Sequence, residues 1–363
     1  MSLPPFDLHP PRRILLVCTQ RIGDVLLATP LARSLKRAWP EAELDFLVFR
    51  GTEGVLAGNP DIARVVAIPQ RTDWRGKLAQ FRELWRSYDL AASPIPTDRS
   101  RLFGRFGARF RVGCIAPWEK RKAWMMDRWL AFDDLDSHTV AMGERLTELL
   151  GIAPSFEVVP PSVAPEKLSA TLEKLAPLSG APYAVLHPFP KYAYKMWRRE
   201  YWADLARRLS EEGFKIVLTG GPDADETAYC AGIAGEAEVL NLAGQLSLAE
   251  TAEILCRARL YVGPDTAVTH IAAATGVPTV ALFGPSNPVK WGPWPKGWQG
   301  PKSPWPRVGS GRQGNVYLLQ GRGDCVPCLL EGCDRSLVSL SRCLQEIPVS
   351  TVMAAIGEFS LKG

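Results

Sequence analysis

Short apolar runs alternate with stretches whose apolar residues recur every three or four positions. Arg13–Cys18 (RILLVC) is apolar almost throughout and stops at the polar TQRIGD. Val25–Ala38 follows with Leu26, Leu27, Leu31 and Leu35 in helical spacing. Leu44–Phe49 and Val65–Ile68 predict two further strands, and Lys77–Arg86 and His138–Leu150 two further helices. Strands that are uniformly apolar, rather than alternating, predict a parallel sheet covered on both faces.

The rhythm breaks over residues 151–182, where six prolines forbid one continuous regular element. This stretch is expected to hold the interdomain connection, with a short helix at Glu166–Leu175. The pattern then restarts. Tyr183–His187, Lys215–Thr219, Leu260–Gly263 and Thr279–Phe283 predict strands. Arg199–Glu212, Ala224–Ala234, Leu248–Arg257 and Thr266–Thr275 predict helices. The tail from Gly284 is rich in Trp, Pro and Gly, then in Cys, and ends in a predicted helix at Val349–Phe359. The expected organisation is α/β: one Rossmann-like domain over 1–160, a linker over 161–182, a second such domain over 183–345, and a terminal helix in 346–363.

Composition narrows the classes further. With 46% hydrophobic and 22% charged residues in 363, disorder, collagen and coiled coil are excluded as the dominant state. A net charge of +5 is too mild for a nucleic-acid protein unless it is clustered. Eight cysteines in so long a chain do not make a disulfide scaffold. No run reaches the ~18–20 apolar residues of a membrane span. The start, MSLPPFDLHPPRR, lacks the basic-then-apolar signal pattern, so a cytoplasmic protein is expected.

Candidate chemistry falls in loops that follow strands. Thr19–Asp24 follows the first strand, and Asp24 stands where a helix begins, as a cap or as a working carboxylate. Gly263-Pro264-Asp265-Thr266-Ala267-Val268-Thr269-His270 follows another strand and opens a helix. Asp265 or Thr266 can cap it, and the free N–H groups there suit phosphate. His270 lies one turn beyond Thr266, as a packed or a working imidazole. Lys191 and Lys195 follow the strand ending at His187 and suit an anionic ligand. Gly220-Gly221-Pro222-Asp223 is a fourth such loop. A nucleotide phosphate held by the second domain and a base from the first would fit this distribution.

Several of these segments resemble glycosyltransferase family 9, the ADP-heptose:lipopolysaccharide heptosyltransferases. They are RILLVCTQRIGDVLLATPLARSLKRAWP, LHPFPKYAYKMWRREYWADLA, VLTGGPDADE, NLAGQLSLAE and GPDTAVTHIAAATGVPTVALFGPSNP. The likeness runs from about Arg13 to Cys343. It implies a GT-B fold, two doubly wound Rossmann-like domains facing across a cleft. It also implies inverting transfer of heptose from ADP-heptose to the lipopolysaccharide inner core with no cofactor or metal required. By this resemblance Asp24 is the catalytic carboxylate and Lys195 meets the phosphates. Asp265, Thr266, Ala267 and His270 bind the donor with Lys191, and an acidic residue after the GG turn, Asp225 or Glu226 with Glu226 preferred, lies on the adenosine side. Ala267 stands where the family commonly has Gly, and Arg198 where it has Pro. Transfer of another nucleotide-linked sugar, epimerisation, or non-catalytic binding of nucleotide-sugar or lipopolysaccharide are the alternatives.

Two features remain. Cys325-x2-Cys328-x4-Cys333-x9-Cys343 has the spacing of a structural thiolate metal site, with reduced thiols as the alternative. This cysteine-bearing tail favours a second- or third-heptose enzyme. Residues 99–128 carry nine Lys and Arg against Glu119 and Asp127, interleaved with Phe and Trp. Such a cluster predicts an anionic partner. RNA is the generic candidate. The resemblance points instead to the lipopolysaccharide inner core, with no nucleic-acid partner and with peripheral contact at the cytoplasmic face of the inner membrane.

Overall fold

A computed structural model describes residues 10–360. The chain divides into two compact units, one running up to Val159 and including Trp298–Ser303, the other comprising Pro160–Gly297 and the chain from Pro304.

The first unit is built on six parallel strands, β1 (Arg13–Cys18), β2 (Glu43–Phe49), β3 (Arg64–Ile68), β4 (Tyr88–Ser93), β5 (Ala108–Ile115) and β6 (Arg128–Ala131), in the order β3-β2-β1-β4-β5-β6. Its helices are α1 (Ile22–Leu27), α2 (Thr29–Ala38), α3 (Trp74–Leu84), α4 (Asp98–Gly107), α5 (Thr139–Glu144) and α6 (Leu146–Leu150). A 3₁₀ segment, Pro117–Met125, connects β5 to β6. Leu15, Val17, Leu47, Tyr88 and Phe103 form one of its buried clusters. Strand order reverses between β1 and β4, the switch point beside which open α/β sheets take ligands. The loop carrying Asp24 leaves β1 there.

The helix expected over Val25–Ala38 is two helices, broken at Ala28 with Pro30 in the first turn of α2. The helix expected over His138–Leu150 likewise divides at Arg145. Segment 99–128 carries α4, β5 and the 3₁₀ turn, which its apolar spacing did not reveal.

The second unit holds β7 (Tyr183–Leu186), β8 (Lys215–Leu218), β9 (Leu240–Asn241), β10 (Leu260–Pro264), β11 (Thr279–Phe283), β12 (Gly311–Gln313) and β13 (Val316–Gln320). Their order is β12-β13-β11-β10-β7-β8-β9, parallel except for the β12–β13 pair. Its helices are α7 (Leu168–Glu173), α8 (Arg199–Glu211), α9 (Ala224–Ala234), α10 (Leu248–Arg257), α11 (Ala267–Thr275), α12 (Pro288–Trp291), α13 (Arg342–Gln345) and α14 (Val349–Gly357). The switch point lies between β7 and β10, so the loops after these two strands open side by side. Trp197 and Trp202 are buried edge-to-face in the core between α8 and the sheet.

The 161–182 stretch, expected as the connection, belongs to the second unit. Thr171 and Leu178 are buried there, and Lys174 is tied to Glu250 at 2.7 Å and to the Gln245 carbonyl. The terminal helix α14 packs on α8 and the sheet, with Val352 and Ile356 in the same core.

Candidate active site

In the first unit Asp24 is buried in the first turn of α1. It is not the cap residue. Arg21 occupies that position, and Asp24 Oδ2 accepts the Arg21 N–H at 3.2 Å, closing the first turn from inside. Thr19, in the same loop, is hydrogen-bonded to Ser100 at the start of α4 at 3.2 Å. Cys18 lies just beneath, its thiol pushed well up by burial and by the charge of Asp24.

In the second unit the loop after β7 is anchored at both ends. His187 Nδ1 is 3.1 Å from Thr219 Oγ1, and burial lowers its imidazole to about 4, so it is neutral at pH 7. At the far end Trp197 is buried and donates its indole N–H to the Ile347 carbonyl at 2.9 Å. Arg198 precedes α8 with φ −63°, a value that Pro would also hold, and donates to the Gln345 carbonyl. Between the anchors Tyr192 and Tyr194 stack at 5.4 Å, and Lys195 reaches Asp265 Oδ2 at 2.5 Å. Lys191 is exposed, with its ammonium over the Tyr192 ring.

Thr266, rather than Asp265, caps α11, its hydroxyl accepting the Thr269 N–H. Asp265 is thereby left to pair with Lys195. Burial alone would raise its carboxyl, but Lys195, His270 and Ser286 carry it below the ordinary range. Burial takes His270 down to about 4, and its Nδ1 has no hydrogen-bond partner among the described residues. Ala267 is the first residue of α11 and lies in ordinary helical backbone, which glycine is not needed to reach. On the GG turn Glu226, not the exposed Asp225, closes the loop. A Cβ on Gly221 would lie 2.8 Å from Glu226 Oε2. Burial raises the Glu226 carboxyl while the Gly221 N–H opposes.

Three residues of this site escaped sequence reasoning. Ser286, in the GPSNP turn after β11, bonds Asp265. Tyr261 and Thr269 support the loop from below: the Tyr261 hydroxyl is 2.8 Å from Thr269 Oγ1, which is 2.5 Å from the Pro264 carbonyl and 3.2 Å from Thr266 Oγ1. The tyrosine hydroxyl occupies the space a side chain at Gly263 would fill, a closeness only glycine allows.

The four late cysteines lie near one another, since Cys325, Cys328 and Cys333 all act on the Cys343 thiol. Among the described residues no group of three or more His, Cys, Asp or Glu is placed to hold an ion. Cys343 lies in the first turn of α13 and packs against Gly284 and Gly321, Cys333 accepts the Arg342 N–H, and Cys325 faces solvent. Burial, with the neighbouring thiols, pushes Cys343 up to about 11.

Each unit carries candidate chemistry at its own switch point: the buried Asp24 in the first, Lys195 and the capped start of α11 in the second. Residues 81–300 match the model of glycosyltransferase family 9 (heptosyltransferase). The chain is 30% identical over 359 residues to lipopolysaccharide heptosyltransferase 1 of Pseudomonas aeruginosa, covering 91% of this chain and 92% of that one. It is 28% identical over 285 residues to lipopolysaccharide heptosyltransferase 3 of Escherichia coli, covering 75% and 82%. The solved structure of E. coli heptosyltransferase WaaC with ADP superposes with a TM-score of 0.70 at 20% identity, over 95% of this chain and 99% of that one. The chain belongs to glycosyltransferase family 9. It is a heptosyltransferase.

Proposed function

We propose that the protein transfers a heptose from ADP-heptose to the inner core of lipopolysaccharide, with inversion and without a metal. The observation that carries this reading is the Lys195–Asp265 pair beside the capped start of α11, in a family 9 chain. An ammonium has three donors. One engages Asp265 and two stay available to a diphosphate, which gains charge as the glycosidic bond breaks. The first N–H groups of α11 add positive potential at the same place. The unpartnered His270 Nδ1 is free for a polar group of the donor. Lys191 and Glu226 border the same strand ends, and Glu226 is assigned to the adenosine side. The first unit supplies Asp24 as the base that accepts the proton of the attacking acceptor hydroxyl. The names of the relatives, and the ADP in the WaaC structure, support this choice of donor and acceptor.

No helix among the described residues is long and apolar enough to cross a membrane. A lipid-linked acceptor sets the reaction at the cytoplasmic face of the inner membrane, with the enzyme in peripheral contact. Calorimetry in EDTA tests the donor site. ADP should bind in the absence of divalent cations and more tightly than UDP or GDP. A preference for UDP, or binding restored only by magnesium, would overturn the reading.

A further inference from the structure

All the exposed tryptophans among the described residues lie between positions 74 and 129: Trp74, Trp85, Trp118, Trp124 and Trp129. The elements that carry them lie on one side of the first unit's sheet. Helices α3 and α4 pack through Phe81 against Phe103 and Phe106, and Trp85 stacks on Phe106 at 5.7 Å. Helix α4 covers the face of β5 that carries Arg111 and Gly113, and Met126, the residue just after the 3₁₀ segment, covers Gly113. Trp129 pairs in register with Gly113 and shares that face. Arg128 points the other way and donates to the Leu149 carbonyl of α6.

The basic residues of this region sort into two groups. Arg101 and Lys122 pair with Asp98 and Glu119, Arg111 pairs with Asp127, and Arg99 bonds the Gln70 carbonyl. Arg101 and Lys122 hold the 3₁₀ segment to α4, Arg111 holds β5 to the residue before β6, and Arg99 holds α4 to the loop after β3. Arg105, Arg109, Lys120 and Arg121 are exposed and have no ion-pair partner among the described residues. Lys120 and Arg121 sit between Trp118 and Trp124, which are 77% and 70% exposed. Each of Trp74 and Trp85 carries an arginine over its ring. Exposed indoles beside uncompensated cations suit one environment, the headgroup layer of a bilayer bearing negative phosphates. The rings sit at the acyl boundary and the cations meet phosphate.

This face is also joined to the catalytic loop. The ion pairs link the 3₁₀ segment to the start of α4, whose Ser100 bonds Thr19 in the loop of Asp24. We propose that Trp118, Lys120, Arg121 and Trp124, flanked by α3 and α4, dock this face on an anionic lipid surface. Docking holds the Asp24 loop where a lipid-anchored acceptor is presented, a consequence that rests on the function proposed above.

Vesicle co-sedimentation tests the docking without donor or acceptor. The protein should bind phosphatidylcholine vesicles containing about a third phosphatidylglycerol and remain free with phosphatidylcholine alone. Lys120→Ser and Arg121→Ser should each weaken binding about fivefold at low salt. Trp118→Ser with Trp124→Ser should weaken vesicle binding and reduce the blue shift of tryptophan emission, leaving only what Trp74, Trp85 and Trp129 contribute. These positions are exposed, so Tm and ADP affinity should stay at wild-type values. Wild-type protein that ignores anionic vesicles, or variants that bind them unchanged, would overturn the proposal. Binding of soluble phosphorylated sugar without vesicle binding would do so as well. Vesicle binding by a protein with no affinity for ADP would uphold the docking and refute the function.

Discussion

Asp24→Asn is expected to lower kcat by about two to four decades in a protein that remains folded and binds ADP normally. Asn keeps the shape of the side chain, and its Oδ1 can still accept the Arg21 N–H that Asp24 accepts now. The structural loss is the interaction of one negative charge with the α1 N-terminus, worth about 0.3–1 kcal/mol. The chemical loss is complete, because an amide cannot take the acceptor's proton at neutral pH. Turnover measured at saturating donor, with Tm as the control for folding, separates the two. Near-normal kcat in the folded variant would remove Asp24 from the mechanism.

Lys195→Ala should be the more damaging change, since the lysine has a structural and a chemical partner. Asp265 is buried and would be left as an unpaired carboxylate, a loss on the order of 3 kcal/mol. ADP affinity should fall with it, and kcat by about two to three decades, the usual worth of a donor to a developing anion. The double variant Lys195→Ala/Asp265→Asn distinguishes these effects. Neutralising the stranded carboxylate should return much of the Tm and none of the ADP affinity or turnover. Recovery of turnover in the double variant would show that Lys195 serves only to neutralise Asp265.

How far the sequence could be read depended on which residues a segment spends on its neighbours. RILLVC is a buried strand whose composition says so, and the loop after it was visible for that reason. Helices α9 and α10 match their apolar spacing and cap signals; Ser247 and Glu250 form a capping box at the start of α10. Helix α4 and strand β5 were hidden because Arg101, Arg105, Arg109 and Arg111 interrupt their apolar pattern. Arg101 is fully buried nonetheless, its charge met by Asp98 and by Glu119, eighteen residues away. Pairing over that distance leaves no periodic trace. The site divides in the same way. Asp265, Thr266 and Lys195 were legible as a capping pair and a strand-end cation. Their division of labour, with Thr266 as cap and Asp265 as counter-ion, depends on where two separate loops meet. Tyr261 and Ser286 read as an ordinary strand residue and a turn residue until the fold brings them to that loop.

Incubation of the purified protein with ADP-heptose and lipopolysaccharide acceptors carrying no, one or two heptoses tests the central claim most directly. Mass and anomeric configuration of the product are read together. The account predicts one heptose added, in the configuration opposite to that of the donor, with ADP released only when acceptor is present. Addition is expected on acceptors that already carry heptose, in EDTA as in magnesium. ADP-heptose left intact beside every acceptor, or a product that retains the donor's configuration, would contradict it.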